Sequence, residues 1–198
     1  LVTSDKFDVS PGTSTFDADG TKNFAVTLRT RAVDHAIYAS NPGQNFPGAN
    51  EDPNAANETT PFFTESSAPV RLAVLLPGEL EVEGKPADVD EFGNSAPGLP
   101  AGKKGMPNIF VIGGSTAVLV HMVDAYENRV RGEASPQPTV TVQTPLDAID
   151  AAEALAAKLM VDGEASFSPA TADGGAPRYA REDYVVGSTY TTSPVNVS

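Results

Sequence analysis

His35 and His121 are the only histidines in this 198-residue chain, and no cysteine accompanies them. General acid–base work or a Ser-His-Asp relay would therefore run through one of these two rings. Ser115, His121 and Asp124 can be written as such a triple. A G-x-S-x-G nucleophile must sit on a strand-to-helix elbow, however, and GGSTAV leads into an alternating apolar segment instead. His121 has Leu119 and Val123 as same-face neighbours in that segment, which reads as a packed histidine. No enzymatic activity is expected.

Two Asp-rich turns suggest a different chemistry. FDADG places Asp17 and Asp19 before Gly20, and DVDEFGN places Asp88 and Asp90 before Gly93. Calcium takes 6–8 oxygen ligands, and carboxylates at alternate positions followed by glycine resemble the opening of a cation loop. The acidic residue that would complete an EF-hand is missing, because Leu28 and Leu99 stand at those places. Asp17, Asp19, Asp88 and Asp90 are thus the candidate metal ligands and calcium the one cofactor they suggest, although Asp and Gly build ordinary turns without it. AGKKG at 101–105 lacks the G-x-x-x-x-G-K-[ST] frame of a phosphate loop. Two glycosylation sequons, Asn57-Glu58-Thr59 and Asn196-Val197-Ser198, are what chance supplies in a chain rich in Asn, Ser and Thr.

Composition narrows the function classes. Asp and Glu number 26 against 13 Lys and Arg, a formal charge of -13. Phosphate backbones and anionic membranes are bound through concentrated Lys and Arg, so no nucleic-acid or membrane partner is expected. Lys103-Lys104 is the one local basic cluster. Acidity of this kind with only six lysines keeps a surface hydrated and is compatible with a halophilic or marine source. The lack of cysteine excludes disulfides, thiolate catalysis and Cys-ligated metals. No run approaches 18 consecutive apolar residues, and LVTSDKFDVS has no basic region followed by an apolar one, so a soluble mature chain is expected.

The elements that must position these residues are mostly strands. NFAVTLRTRAV, residues 23–33, sets Phe24, Val26, Leu28 and Thr30 on one face and Thr27, Arg29 and Arg31 on the other. FDADGTKNF ahead of it reads as a hairpin turning at Asp19-Gly20. VRLAVLLPGELEVEG reads as two strands about Pro77-Gly78, with Leu80 and Val82 alternating with Glu79, Glu81 and Glu83. IFVIGG, STAVLVHMVDAY and TVTVQT continue the strand pattern, and Gly113-Gly114 marks a turn or bulge. EASFSP and YVVGSTYTTSPVNVS close the chain. One amphipathic helix is expected over 145–162, capped by Thr144, started by Pro145 and ended by Gly163. Its apolar stripe would be Leu146, Ile149, Ala152, Ala156, Leu159 and Met160. The whole predicts a single mainly β (α+β) domain over 1–198, an antiparallel β-barrel or sandwich with one helix.

Two long loops interrupt this pattern, at 39–69 and 85–107. Thirty residues without regular structure are rarely kept in a compact domain without a use. The first carries Phe46, Phe62 and Phe63, and the second carries Phe92. Burying one phenylalanine is worth about 1.5–3 kcal/mol. Three readings stand open: these rings fold back onto their own domain, the loops are arms whose phenylalanines anchor an interface with neighbouring subunits, or the segments are disordered.

LMVDGEASFSPATADGGAPRYAREDY resembles segments of the small β-barrel head-decoration (cement) proteins of tailed viruses. There a strand, an Asp-Gly turn, a short Pro/Ala/Thr segment and another strand recur. Val161, Asp162, Gly163, Pro169, Gly174 and Pro177 carry the resemblance, over 159–186. It implies a structural, non-catalytic virion protein that sits on a capsid lattice, usually as a trimer. The two long loops have no counterpart in that family, so a capsid, turret or tail component is an equal reading. The expected partners are other copies of this chain and a major capsid or other virion protein, through Phe46, Phe62, Phe63 and Phe92. The alternative is a secreted or surface β-domain that binds carbohydrate or protein, with calcium at the Asp-rich turns.

Overall fold

The computed structural model describes residues 1–9, 11–39, 61–109, 117–132, 137–143, 157–167 and 187–191. Among these the protein is mainly β, every strand pair is antiparallel, no helix occurs, and no sheet closes into a barrel.

In chain order the strands are β1 (Val2–Thr3), β2 (Ala32–His35), β3 (Ile37–Tyr38), β4 (Phe62–Thr64), β5 (Arg71–Leu75), β6 (Glu79–Glu81), β7 (Lys103–Gly105), β8 (Val118–Val123), β9 (Thr139–Gln143), β10 (Lys158–Leu159), β11 (Glu164–Phe167) and β12 (Gly187–Thr191). They form two three-stranded sheets, β11-β8-β5 and β10-β9-β12, and three ribbons, β1-β3, β2-β4 and β6-β7.

Strand β8 is the spine. Val118, Val120 and Met122 point to one face, where Ala165 and Phe167 of β11 and Leu72 and Val74 of β5 meet them. Val140 and Val142 of β9, with Val130 and Met160, complete the same apolar cluster, so both three-stranded sheets share one core. The alternation in TVTVQT thus marks the buried face correctly. The opposite face of β8 is largely buried as well, with Leu119 half-buried. His121 and Val123 are covered there.

The segment expected as one strand over 23–33 keeps its period but lacks a ladder. Phe24, Val26 and Leu28 are half-buried while Ala25 and Thr27 are exposed, yet only the Val9–Thr27 bridge pairs it before β2 begins. The turn ahead of it forms as expected, with Asp17 N–H donating to the Thr21 carbonyl at 2.8 Å and Gly20 at a φ of 79°. Strands β5 and β6 also flank the Pro77-Gly78 turn as expected, but they part after it, β5 to β8 and β6 to β7.

The expected helix needs correction at its end. Lys158–Leu159 is a strand against β9, and Asp162-Gly163 is the turn into β11, closed by the Val161–Glu164 bridge. Leu159 and Met160 show why. A helical stripe would bury both, whereas an extended chain sends neighbours to opposite sides, and here Met160 is 1% exposed and Leu159 63%. Gly163 has the left-handed φ of 72° expected of it, but in a β-turn, with the Val130 carbonyl packed where a Cβ would stand. Residues 144–156, the rest of the expected helix, lie outside the described residues. Likewise, the loop expected over 39–69 contains strand β4, and the one over 85–107 ends in β7. Residues 40–60, with Phe46, lie outside the described residues.

Phe167 fills the centre of the shared core at 1% exposure. Phe167→Ala is expected to cost about 3–5 kcal/mol, read as a lowered urea midpoint with little change in slope.

Candidate functional site

The glutamates of β6 face inward, the reverse of an acidic face kept in solvent. Glu79 has a side chain only 5% exposed and accepts from Lys103 Nζ at 2.7 Å. Glu81 reaches His121, its Oε1 lying 2.7 Å from Nδ1 of the ring. Glu83 accepts from the Arg129 backbone N–H at 3.2 Å and from Arg131 Nη2 at 3.0 Å. Burial pushes the Glu83 carboxyl up, Arg131 pulls it back, and neighbouring Glu81 pushes it further; the net direction is upward. Leu80, between them, is 60% exposed.

His121 is the middle of this belt, at 3% exposure. Its Nε2 lies 3.2 Å from Glu164 Oε2 on β11, off the line of a hydrogen bond, and Arg129 Nη1 pairs with that same oxygen. A ribbon, the central strand and its neighbour are thereby joined through one imidazole. The arrangement is a clamp that sets one imidazole between two glutamates. Of the triple written from the sequence, Ser115 lies outside the described residues, and Asp124 is engaged elsewhere.

Asp124 accepts from the backbone N–H groups of Tyr126 and Asn128, at 2.8 and 2.9 Å, and from Ser67 N–H at 2.9 Å. Asn128 then reaches across the chain: Nδ2 donates to the Arg29 carbonyl at 2.7 Å, and Oδ1 accepts from Arg31 N–H at 2.9 Å. Asp5 serves the same irregular segment from the other side. It accepts from the backbone N–H groups of Arg29 at 2.5 Å and Thr30 at 2.8 Å, from the Thr30 hydroxyl at 2.7 Å, and from Phe7 N–H at 3.0 Å. His35 Nε2 lies 2.7 Å from the Thr30 carbonyl and Nδ1 3.2 Å from the Ser4 hydroxyl. A carbonyl can only accept, so Nε2 carries the proton and the ring is a satisfied buried histidine.

Each of the four aspartates proposed for calcium already holds its own turn. Asp17 pairs with Lys22 at 3.1 Å, and Asp19 accepts from Thr21 N–H and hydroxyl at 3.0 and 2.8 Å. Asp88 accepts from Gly98 N–H at 2.7 Å, and Asp90 from the N–H groups of Phe92 and Asn94 at 2.9 and 2.8 Å. The side chain and backbone of Thr21 lower the Asp19 carboxyl, as those of Asn94 lower Asp90. Among the described residues no group of three or more His, Asp or Glu is placed to share a metal ion. The second loop also has a cation of its own. Lys85 is fully buried, and its Nζ donates to the Pro100 carbonyl. Burial lowers its pKa, while Glu91, Asp90 and Asp88 oppose that shift.

The phenylalanines divide. Phe62 is half-buried against His35, ring centroids 6.1 Å apart, and so folds back onto its own domain. Phe63 and Phe92 point outward, 72% and 73% exposed. On β2, Val33 and Asp34 stand opposite the single residue Phe63, a bulge that places exposed Val33 and Phe63 on one outer face. Phe92 rides a loop tied at several points. The loop is tied back by Lys6 Nζ donating to the Glu91 carbonyl at 2.6 Å and by the Val89–Ser95 bridge.

The chain matches no protein-family model, no curated protein and no solved structure.

The Asp5 and Asn128 contacts lie beyond the reach of sequence pattern, because their partners are 24 to 99 positions away. Only the local halves, Asp5 to Phe7 and Asp124 to Asn128, have the Asx-turn spacing that sequence can signal. Burial raises the Asp5 carboxyl, but the hydrogen bonds from Thr30, Phe7 and Arg29 outweigh it and the net shift is downward. A lowered folded value means Asp5 stabilises the fold above the ordinary carboxylate range and ceases to as pH falls through that folded value. Asp5→Asn is expected to cost about 2–3 kcal/mol near neutral pH. The difference in urea midpoint between the two proteins should begin to shrink below about pH 4 and close only once pH has fallen through the lowered folded value.

Proposed function

We propose that this protein is a structural component of a virion-like assembly, a capsid decoration or minor capsid protein that stabilises its particle through loop-mediated contacts between subunits. The observation that carries the reading is the outward placement of Phe63 and Phe92 on well-tied backbone, Phe63 on the bulged β2-β4 ribbon and Phe92 on the loop braced by Lys85 and Lys6. A large apolar side chain held in a fixed pose loses little freedom when a neighbour covers it, which is what an interface anchor needs. The core that the two three-stranded sheets share supports a two-layer sandwich as the scaffold for these anchors. The chain's acidity would keep the remaining surface in solvent.

The mass in solution, by light scattering on a sizing column at low and at molar salt, tests the proposal. The intact chain is expected to form a defined oligomer that the double substitution Phe63→Ser, Phe92→Ser reduces to folded monomers. An oligomer indifferent to both substitutions would remove these two residues from the interface. Monomers of the intact chain in both salts, with a melting temperature that rises on adding calcium and falls with chelator, would direct attention to a surface β-domain that binds carbohydrate or protein.

A further inference from the structure

The His121 clamp joins elements that the backbone ladders leave separate. Ribbon β6-β7 pairs with neither three-stranded sheet, and Glu81 on β6 is its contact with the middle of β8. Among the described residues, these charged groups bear on the ring. Glu81 comes from β6 and Glu164 from β11, Arg129 shares the Glu164 carboxylate, and β5 presents uncharged Ala73 opposite. Next along the belt, Glu79 is taken by Lys103 and Glu83 by Arg131.

We propose that His121 is a proton-operated latch that holds the β6-β7 ribbon on the central sheet. Protonated, the ring donates to Glu81 through a charge-assisted hydrogen bond and sets its positive charge between two carboxylates. Neutral, it can still donate Nδ1–H to the Glu81 carboxylate, but the carboxylates of Glu81 and Glu164 lose the positive charge between them. The ribbon is therefore tighter on the acid side of the His121 titration and looser on the alkaline side. Other ties do not involve the ring: Lys103 Nζ to the Val74 carbonyl at 3.3 Å and, just past β6, Glu83 to Arg131 at 3.0 Å and to the Arg129 N–H at 3.2 Å, so the ribbon loosens without leaving. The device is independent of the assembly reading.

The test follows the histidine side chains by NMR between about pH 5 and about pH 8. Over the same range, exchange protection is measured for the amides of Glu79–Glu81 and Lys103–Gly105, corrected for intrinsic rates. The expected result is a loss of protection in the ribbon of about three- to tenfold across the His121 titration, while β5-β8 amides hold constant. In Glu81→Gln the dependence should disappear, with the His35 signals unchanged as a check on the fold. Ribbon protection that stays flat while His121 titrates would overturn the proposal, as would a His121 that keeps one charge state throughout. So would a pH dependence that survives Glu81→Gln. If that variant fails to fold, the wild-type titration decides alone.

Discussion

Arg29, Thr30 and Arg31 carry backbone N–H groups into the protein at a place where, among the described residues, no strand runs alongside to accept them. An unsatisfied buried donor costs on the order of 1–3 kcal/mol, so the chain must bring acceptors from elsewhere. It brings Asp5 and Asn128, and Asn128 is itself held by Asp124. Much else hangs on that provision. The N-terminal residues, the segment before β2, the turn after β8 and Ser67 are all fixed by a few buried polar side chains.

The same economy explains why short strands suffice. Ladders join the sheets locally, and side chains join the sheets to one another. On the apolar side of β8 the joining is done by Val120, Phe167, Val140 and Met160; on its other side it is done by His121 and the glutamates of β6. A spine buried on both faces has to place its polar residue where partners exist, and inward-facing Glu81 and Glu164 are those partners. The cost is a chain whose sheet contacts depend on paired charges. The consequence is that the ribbon carrying Leu80 can respond to protons while the apolar core does not.

The functional reading rests on side chains left over from this arrangement. Phe62 is used internally against His35, whereas its neighbour Phe63 alternates to the outer face beside Val33. Phe92 is exposed on a loop that invests several buried or tied groups in its shape, among them Lys85, Asp88 and Asp90. That loop holds its own ammonium among backbone carbonyls, and its aspartates close turns.

The sequence by itself determined what depends on near neighbours. The apolar alternation in TVTVQT marked the buried face, Asp19-Gly20 and Pro77-Gly78 turned, and Gly163 took a left-handed φ. Its period could not decide what covers a face. The alternation at Glu79, Glu81 and Glu83 is the same whether those residues meet water or side-chain partners, and only the approach of Lys103, His121 and Arg131 turned them inward. The stretch around Leu159 and Met160 suited a helical stripe, yet Met160 reaches the core from an extended chain because β9 offers a ladder there. Asp5 and Asn128 had no legible role, since a hydrogen bond across tens of residues leaves no local pattern. Tertiary structure decided those, because a buried donor is satisfied by whatever acceptor folding brings within reach, wherever it lies in the chain.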